Sequence, residues 1–460
     1  MEYSITFLEK DYTDLLQHLF TDRQKERAAY LLCRISSTSM EDRLLVREII
    51  RVKDEDVEES SETHMKIRSR SFMSAMKRAD ITKQLFVFVH SHPDGFVNHS
   101  KKDDFEEKQL FQTAYIRIKT SGVHASLVLS SPDKPVGRAW LADGTTKSMT
   151  VIRVIGERFR FYYNEEESAQ IPDFFDRQVR AFGNDIQKLL GKLHIAIVGS
   201  GGTGSAICEE LIRLGVGTLT VIDGQRFEKS NVNRVYGSHT TDEGEKKVAL
   251  MERLASEIGL GTKINSVDRP ISFESAVKKL KNSDIIFGCT DDQWGRSILV
   301  RGAVYYGIPV FDMGVKIDSK DGIIKSIEGR VTTLLGEYAC LFCRQRITEK
   351  AVYEQSLAEL DPEQLKKLIK QGYADELATP SPSVISFTSG TASLAINEML
   401  HRLTGFMGSD RVSNEILIFF DQARIRSNRQ FSKADCFCGD KNIIMRGDVT
   451  PLLDLVWRPE

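Results

Sequence analysis

The sequence predicts an α/β protein with two dissimilar parts: a mixed α+β domain, followed by a Rossmann-like, doubly wound and mostly parallel sheet. Two observations indicate this fold class. Short apolar runs separated by polar loops fill the first part, whereas strand-like and helical segments alternate regularly from position 175 onward. Such alternation is typical of parallel sheets with crossover helices. A length of 460 residues suffices for several cored domains, at roughly 100 to 200 residues each.

The composition excludes several classes of protein. Lysine and arginine number 63 against 65 aspartate and glutamate, a net charge of -2, which argues against nucleic-acid and polybasic membrane binders. No window approaches the roughly 18 apolar residues of a membrane span, and the acidic N-terminal segment is unlike a signal peptide. Seven cysteines are few and odd in number for a secreted disulfide framework. We therefore expect a cytoplasmic protein that binds neither nucleic acid nor membranes.

The first domain is expected to span residues 1–165. Its opening segment, Phe7 to Phe20, is predicted to be a helix because Leu15, Leu16 and Phe20 fall on one side. Apolar runs predict strands at 28–35, 44–52, 84–89, 125–129 and 139–141. A charged, Ser-rich loop is predicted at 54–63 and a short helix at 72–78.

The second domain is expected to span residues 170–445, and residues 446–460 are expected to form a C-terminal tail. The alternation predicts a polar helix at about 175–190, strands at 194–198, 218–222 and 285–287, a helix at 246–258 and a further strand ending at Val310. A charged insert is predicted at about 345–380. Within it, Asp361 is predicted to cap a helix, with Pro362 at its first position and Gly372 as its stop.

A metal-binding pattern, HSHPDGFVNHSKKD, directly follows the apolar strand QLFVFV. His90, His92 and Asp103 provide two imidazoles and one carboxylate, which are suitable zinc ligands. Three protein ligands leave the fourth position of a tetrahedral zinc ion for water, as in catalytic rather than structural sites. The plainer alternative is a polar loop with two unrelated histidines, but His90, His92, Pro93, Ser100 and Asp103 all in register favour a metal site.

This spacing, with Glu26 upstream in ERAAYLLC, resembles that of the JAMM (JAB/MPN) metalloprotease family. The resemblance implies that His90, His92 and Asp103 hold a catalytic zinc ion. It further implies that Glu26 takes a proton from the attacking water and that Ser100 stabilises the oxyanion. Glu48 is a second candidate base, although a solvated face explains it better, and His99 is interpreted as an ordinary loop histidine.

A glycine-rich loop after the strand HIAIVG predicts a nucleotide site. Gly199, Gly201, Gly202 and Gly204 allow the backbone to approach a phosphate, and the next helix offers its N-terminus to the anion. The loop alone equally fits a nicotinamide-dependent dehydrogenase, because Asp223 follows the second strand where it would bind a ribose.

Residues further along distinguish the two possibilities, since they supply cations and a carboxylate that hydride transfer does not need. They are Asn231 and Arg234 in SNVNR, Lys247 in GEKK, Asp291 in CTDD and Arg296 on the following helix. Attack of a carboxylate on the α-phosphate of ATP does need cations and a metal-holding carboxylate, because one anion must approach another. The set resembles the ThiF-type adenylyltransferases, the family of ubiquitin-like-protein activating enzymes, from about 175 to 440.

The resemblance to this family implies roles for individual residues. Asp223 would bind ribose, Arg234 and Lys247 the phosphates of ATP, and Asp291 a magnesium ion. Arg177, in the entry segment FDRQVRAFG, would reach the ATP site of a partner subunit, which implies a homodimer. Gln225 departs from the family, which often has a second acidic residue there.

Four of the seven cysteines form two close pairs, Cys340 with Cys343 and Cys436 with Cys438. Such pairs suit a closed structural zinc site, and a disulfide is the competing interpretation, disfavoured by the reducing cytosol. Thioester-forming members of the ThiF family carry a nucleophilic cysteine after the first pair. This sequence has none between Arg344 and Asp435.

Together these motifs predict a bifunctional enzyme. Its first domain would trim or deconjugate a ubiquitin-like or sulfur-carrier protein with a Gly-terminated tail, and its second would adenylate the exposed carboxylate. Antiphage defence and cofactor biosynthesis are both possible settings. The alternatives are adenylation of a peptide or small-molecule carboxylate, and a scaffold in which one domain is inactive.

Overall fold

The computed structural model describes residues 1–164, 170–371, 373–374 and 382–459, which divide into two compact units. The first unit holds the described residues up to 164 together with 445–448, and the second holds the rest. Residue 445 was expected to end the second domain, and residues 446–448 were expected to belong to the C-terminal tail. Instead the Asp448 amide donates to the Ile35 carbonyl at 2.8 Å, and its carboxylate accepts from the Ser37 amide at 2.7 Å.

The first unit is built on one sheet covered on both faces. Its strands are β1 Glu2–Leu8, β2 Ala28–Ser37, β3 Glu41–Arg51, β4 Val57–Ser60, β5 Met65–Ile67, β6 Leu85–Ser91, β7 His124–Leu129, β8 Pro135–Trp140, β9 Thr146–Ser148, β10 Val151–Ile155 and β11 Phe159–Tyr163. Its helices are α1 Glu9–Leu19, α2 Ser69–Thr82 and α3 Lys101–Arg117. In residues 1–164 the sheet order is β11-β10-β1-β3-β2-β6-β7-β8-β9, and β4 pairs with β5 in a separate hairpin.

Alternating side chains of β2 divide the core of the first unit into two layers. Leu31 joins one layer with Leu15 of α1, whereas Tyr30 joins the opposite layer with Met76 of α2 and Phe111 of α3. The sheet therefore lies between α1 on one face and the α2–α3 pair on the other. His90, one residue before the end of β6, lies on the same face of the strand as Phe86 and Phe88 of the α2–α3 layer.

The second unit contains the parallel sheet that the alternation of the sequence predicts. Its strands are β12 His194–Val198, β13 Thr218–Ile222, β14 Lys263–Val267, β15 Ile285–Gly288, β16 Val310–Lys320, β17 Ile323–Leu334, β18 Glu415–Phe419 and β19 Arg424–Asn428. Its helices are α4 Asp176–Phe182, α5 Asn184–Lys192, α6 Gly202–Leu214, α7 Lys247–Ile258, α8 Glu274–Leu280, α9 Gln293–Tyr306, α10 Glu349–Leu360, α11 Pro362–Lys370 and α12 Ile385–Thr404.

The strand order of the described residues in this unit is β14-β13-β12-β15-β16-β17-β18-β19. The pairs from β14 through β16 are parallel, and the remaining three are antiparallel. The predicted Rossmann-like fold class is confirmed. Strand β12 lies between β13, which follows it in the chain, and β15, which comes later. The chain thus reverses its direction of winding at the carboxyl end of β12, where α/β proteins bind ligands.

Several predicted elements were wrong. The loop predicted at 54–63 contains β4. Phe7 belongs to β1, where Ser4 and Thr6 are buried as completely as Ile5 and Phe7, so that no amphipathic alternation marks this strand. The predicted helix at 175–190 is two helices, because Gly183 has a φ of +85° and interrupts it. Val310 begins rather than ends its strand.

The charged insert contains α10 and α11. The Asp361 carboxylate accepts from the Gln364 amide at 3.0 Å and Pro362 begins α11, as predicted. Gly372 and the end of the insert lie outside the described residues. No helix of the described segments is long and apolar enough to cross a membrane.

A buried ion cluster joins three adjacent strands of the first unit. Arg153 of β10 and Arg43 of β3 donate to the Glu41 carboxylate at 2.8 and 2.9 Å, and the Ser4 hydroxyl of β1 donates at 2.5 Å. Burial alone would raise the pKa of Glu41, but the two guanidinium groups together hold it below its usual value.

Replacing Glu41 by glutamine is expected to lower the free energy of unfolding of the first unit by about 3–5 kcal/mol, because two buried guanidinium groups lose their counter-charge. Chemical denaturation would measure the change. Glu58→Gln is the control, since Glu58 forms an exposed pair with Lys66 at 2.8 Å and its loss should leave the unfolding midpoint unchanged. Equal effects of the two variants would contradict the assignment.

Candidate functional sites

The first candidate site lies where β6 ends and α3 begins. The Nε2 atoms of His90 and His92 are 3.0 Å apart, and the Asp103 carboxylate lies 3.3 Å from the former and 3.4 Å from the latter. Both histidines are buried. Nδ1 of His92 is 2.9 Å from the Phe96 carbonyl, and donation to that carbonyl leaves Nε2 with a free lone pair.

The N-terminus of α3 fixes the position of Asp103. The Ser100 amide donates to the Asp103 carboxylate at 2.6 Å, and the Asp103 amide donates to the Ser100 hydroxyl oxygen at 3.2 Å. This reciprocal pair is a capping box. Because the Ser100 oxygen only accepts in this pair, its hydroxyl hydrogen remains available for donation toward the site.

These three side chains fit a zinc ion. One ligand atom from each lies within 4.8 Å of the other two. Ligands at roughly 2.0–2.1 Å in a tetrahedron are separated by about 3.3 Å, close to the separations of 3.0, 3.3 and 3.4 Å found here. His90, His92 and Asp103 would therefore hold zinc with one position open.

Glu26 lies just before β2 and is largely buried. Its backbone is fastened to the β4–β5 hairpin, since its amide donates to the Ser61 carbonyl and its carbonyl accepts from the Ser60 hydroxyl, both at 2.8 Å. Burial raises the pKa of its carboxyl to about 7, although His90 and His92 act in the opposite direction. Glu26, His90 and Asp103 line one cavity.

The alternative base, Glu48, is turned toward solvent, where it pairs with Arg78 at 2.7 Å. His99, by contrast, is not an ordinary loop histidine: it is almost completely buried, and its Nε2 is 3.2 Å from the Ser126 hydroxyl. It thus belongs to a polar network next to the cluster of His90, His92 and Asp103.

The centre of that network is Glu107, a residue that was not predicted from the sequence. One oxygen of this buried carboxylate accepts from Arg138 Nη2 at 2.8 Å, the Trp140 indole at 3.0 Å and the Ser126 hydroxyl at 2.5 Å. Burial raises the pKa of Glu107, and Arg138 opposes that effect. Glu107 could have been found from the sequence, because it lies four residues after Asp103 and therefore on the same face of α3.

The second candidate site is the glycine loop between β12 and α6. Gly199 has a φ of +92°, and a Cβ there would lie 2.9 Å from the Cys289 backbone. A Cβ at Gly204 would lie 1.8 Å from the Gly199 carbonyl oxygen. Gly201 precedes α6 and Gly202 begins it. The loop therefore exposes backbone amides and a helix N-terminus, the elements of an anion site.

Hydrogen bonds connect this loop to the second strand. Asp223 is buried, and one of its oxygens accepts from the Ser200 amide at 2.7 Å while the other accepts from the Gln225 amide at 2.8 Å. Lys247 begins α7 and donates from Nζ to the Gln225 side-chain oxygen at 2.6 Å. Gln225, the departure from the family pattern, is thus a direct partner of the predicted phosphate-binding lysine.

The other predicted nucleotide-binding residues differ in their surroundings. The Arg234 side chain packs on the loop, 3.4 Å from the position that a Cβ of Gly202 would take. Asn231 is buried and accepts from the Glu228 amide at 3.3 Å. Asp291 is exposed just after β15, and Arg177 is exposed on α4.

Arg296 was expected to be one of the cations near the phosphates of ATP, but its side chain has other partners. It donates to the Met313 carbonyl at 3.0 Å, and its Nε lies 3.4 Å from the buried carboxylate of Asp312. Its position on α9 directs the side chain toward β16, so it is no longer counted among the phosphate-binding cations.

The third site joins the two cysteine pairs. Neighbouring sulfur atoms are 3.4–3.9 Å apart, and all four cysteines are free thiols. Four thiolates at about 2.3 Å from a zinc ion would be separated by about 3.8 Å. The donor set thus fits a structural zinc ion, and the C-x-C spacing of the second pair does not prevent it.

Comparison with known proteins gives the family. Residues 175–439, more than half of the chain, match the ThiF family. The chain belongs to this family. Residues 8–142 match the prokaryotic homologs of the JAB domain. Both resemblances noted in the sequence are confirmed.

Two curated proteins are among the relatives of this chain. The chain is 28% identical over 116 residues to the adenylyltransferase and sulfurtransferase MOCS3 of Dictyostelium discoideum, covering 25% of this chain and 27% of the relative. It is 27% identical over 169 residues to the sulfur carrier protein adenylyltransferase of Thermus thermophilus, covering 35% and 59%. The matches thus span less than two thirds of either relative.

A solved structure is also similar. The crystal structure of E. coli MccB with succinimide is 16% identical, covers 58% of this chain and 75% of MccB, and has a TM-score of 0.45.

The two metal sites should be separable by metal analysis. Purified chain should contain two zinc ions, since the described residues include two clusters whose ligand atoms are close enough to hold a metal ion. His92→Ala and Cys438→Ala should each retain one zinc ion. Mass spectrometry of the metal content measures this. Cys33→Ala, which alters a buried thiol outside both clusters, should retain two, and loss of metal from that control would contradict the assignment.

Proposed function

We propose that this ThiF-family chain is a bifunctional enzyme acting on a small ubiquitin-like or sulfur-carrier protein. Its second unit would adenylate the C-terminal carboxylate of that protein, and its first unit would hydrolyse a bond at the same C-terminus. The proposal rests on the residues that surround the glycine loop at the switch point of the sheet. Asp223 accepts from Ser200 and Arg234 packs beside Gly202, while Lys247 is joined to Asp223 through Gln225.

Adenylation joins two anions. A carboxylate oxygen of the carrier attacks the α-phosphorus of ATP, and the bond from that phosphorus to pyrophosphate breaks, leaving an acyl adenylate. Arg234 and Lys247 would offset the negative charge of the phosphates, and the N-terminus of α6 would add its positive end. Asp223 would accept hydrogen bonds from the ribose hydroxyls.

Asp291 would hold the magnesium ion that accompanies ATP. Its exposed carboxylate follows β15, the strand beside β12, at the same edge of the sheet as the glycine loop. When bound, magnesium would supply positive charge beside the departing pyrophosphate. Arg177 would contribute to the site of a second copy, which makes a homodimer part of the proposal.

A carrier protein is the proposed substrate because of the relatives. The Thermus thermophilus protein, which matches this chain over 169 residues, is named a sulfur carrier protein adenylyltransferase. A tail ending in glycine would offer an unhindered carboxylate. Because the sequence lacks a cysteine between Arg344 and Asp435, the adenylate would pass to an external sulfur donor, thiol or amine.

For the first unit we propose peptide or isopeptide hydrolysis. When bound by His90, His92 and Asp103, zinc would supply a water molecule of lowered pKa. Glu26 would accept the proton of that water and later return it to the leaving amine. The Ser100 hydroxyl would donate to the oxygen on which negative charge develops.

Lys247→Ala is expected to slow exchange of labelled pyrophosphate into ATP by about 10²-fold, since one charge-stabilising donor is lost. The matched control is Lys246→Ala, because Lys246 is the neighbouring residue and pairs on the surface with Asp268 at 2.7 Å; its exchange rate should stay within about twofold.

Exchange should require a Gly-terminated carrier. Exchange with a short peptide or a small carboxylate would instead favour the alternative substrate class, and no exchange with any carboxylate would leave a scaffold.

Glu26→Gln is expected to abolish cleavage of a carrier extended beyond its terminal glycine, because an amide cannot accept the proton, while zinc content stays unchanged. Gel mobility or mass spectrometry of the carrier would follow the reaction. Glu48→Gln is the matched control and should cleave normally. If Glu26→Gln still cleaves, Glu26 is not the base.

A further inference from the structure

A cavity of about 310 Å³ lies in the first unit, lined by His90 and Asp103 of the candidate zinc site and by residues of α3. Its polar end is formed by Glu26, His90, Asp103 and Glu107. Its other walls are largely apolar and come from β2, β5, β6, α2 and α3: Tyr30, Met65, Ile67, Phe72, Phe88 and Leu110. Glu106, Gln109 and Thr113 of α3 are the polar residues of these walls. The proposed hydrolysis uses the polar end alone and leaves the apolar part without a role.

We propose that this cavity binds a large apolar side chain of the substrate, from a residue next to the bond that is cut. The inference rests on the proposed hydrolysis and adds the substrate class: peptide segments with an aromatic or large aliphatic residue beside that bond.

The position of the cavity identifies its occupant. Because Glu26, His90 and Asp103 form part of its lining, any molecule that fills it lies against the groups proposed to cut the substrate. Its volume lies at the lower limit of ligand pockets, roughly 300–1,000 Å³. It is therefore too small for a folded domain and large enough for one side chain with its backbone.

The walls favour an apolar occupant. Phe72, Phe88 and Leu110 pack against the buried core of Tyr30, Met76 and Phe111 but are themselves only partly buried. The core holds them in place, and their remaining exposed apolar surface would be removed from water on binding. The exposed carboxylate of Glu106 at the lining disfavours an acidic side chain.

Two buried atoms of the polar end have no hydrogen-bond partner within the described residues. They are Nδ1 of His90 and Oε1 of Glu107, whose other oxygen is already occupied by Arg138, Trp140 and Ser126. Buried polar atoms without partners are uncommon in proteins. Both atoms are enclosed by the protein, so they add to the polar character of this end of the cavity without facing its open space.

The test is a series of carrier-derived peptides in which the residues on both sides of the cut bond are varied as Phe, Leu, Ala, Lys and Asp. With the zinc-loaded full chain, kcat/KM at one of the two positions should be at least about tenfold higher for Phe or Leu than for Ala, and lowest for Asp. Binding of the same peptides to Glu26→Gln, followed by fluorescence anisotropy, should show the same order.

Two variants probe the cavity itself. Phe72→Ala should reduce the preference for Phe over Ala, and Leu110→Phe, which fills the cavity from α3, should reduce it independently. Phe105→Ala is the matched control, because Phe105 is an exposed aromatic residue of α3 outside the lining; it should retain the full preference. Thermal unfolding of each variant identifies losses due to misfolding.

The outcomes separate this inference from the function on which it rests. Equal cleavage and binding of all peptides, or a preference for Lys, would overturn the apolar cavity while leaving hydrolysis intact. Retention of the preference in both cavity variants would overturn it as well. If nothing is cleaved but Glu26→Gln binds Phe peptides best, the hydrolysis is wrong and the binding site stands.

Discussion

The candidate nucleotide site of the second unit depends on one close backbone contact. The carbonyl oxygen of Gly199 occupies the space that a side chain at position 204 would need. This contact lets β12 turn directly into α6, so that the helix N-terminus lies at the strand end. It also brings the loop against Cys289 after β15. Without side chains at these positions, residues from β13 and from the β15 loop can be held around one small volume.

Carboxylates tied to backbone amides position both candidate sites. Asp223 accepts from the Ser200 and Gln225 amides, and Asp103 accepts from the Ser100 amide. In each case the side chain is oriented by a turn of local backbone, independent of any ligand. Such prearrangement reduces the reorganisation needed when charged substrates bind. The two units differ in topology, but each orients a carboxylate of its candidate site through hydrogen bonds from nearby backbone amides.

The sequence predicted which residues lie close together at the candidate sites better than it predicted the bounds of the surrounding elements. Glycines, histidines and paired cysteines have few roles at fixed spacings, so their motifs could be recognised from single residues. Strand β1 could not, because Ser4 and Thr6 are buried beside Ile5 and Phe7. The direction of Arg296 and the network around Glu107 depend on contacts distant in sequence. The apolar cavity combines five separate elements, and no local pattern encodes it.

The cysteine cluster has a consequence for chain topology. One pair follows β17 and the other follows β19, so an ion shared by all four would close the chain from 344 to 435 into a loop. A crosslink that closes a loop of roughly 100 residues lowers the conformational entropy of the unfolded chain. This stabilises the folded state by about 4–5 kcal/mol. That loop carries α12, whose Ser389 and Ser393 hydroxyls bond Tyr236 and, in α6, Glu210 at 2.8 and 2.7 Å. A zinc ion held by the four cysteines would therefore limit how far α12 can move away from the glycine loop and α6.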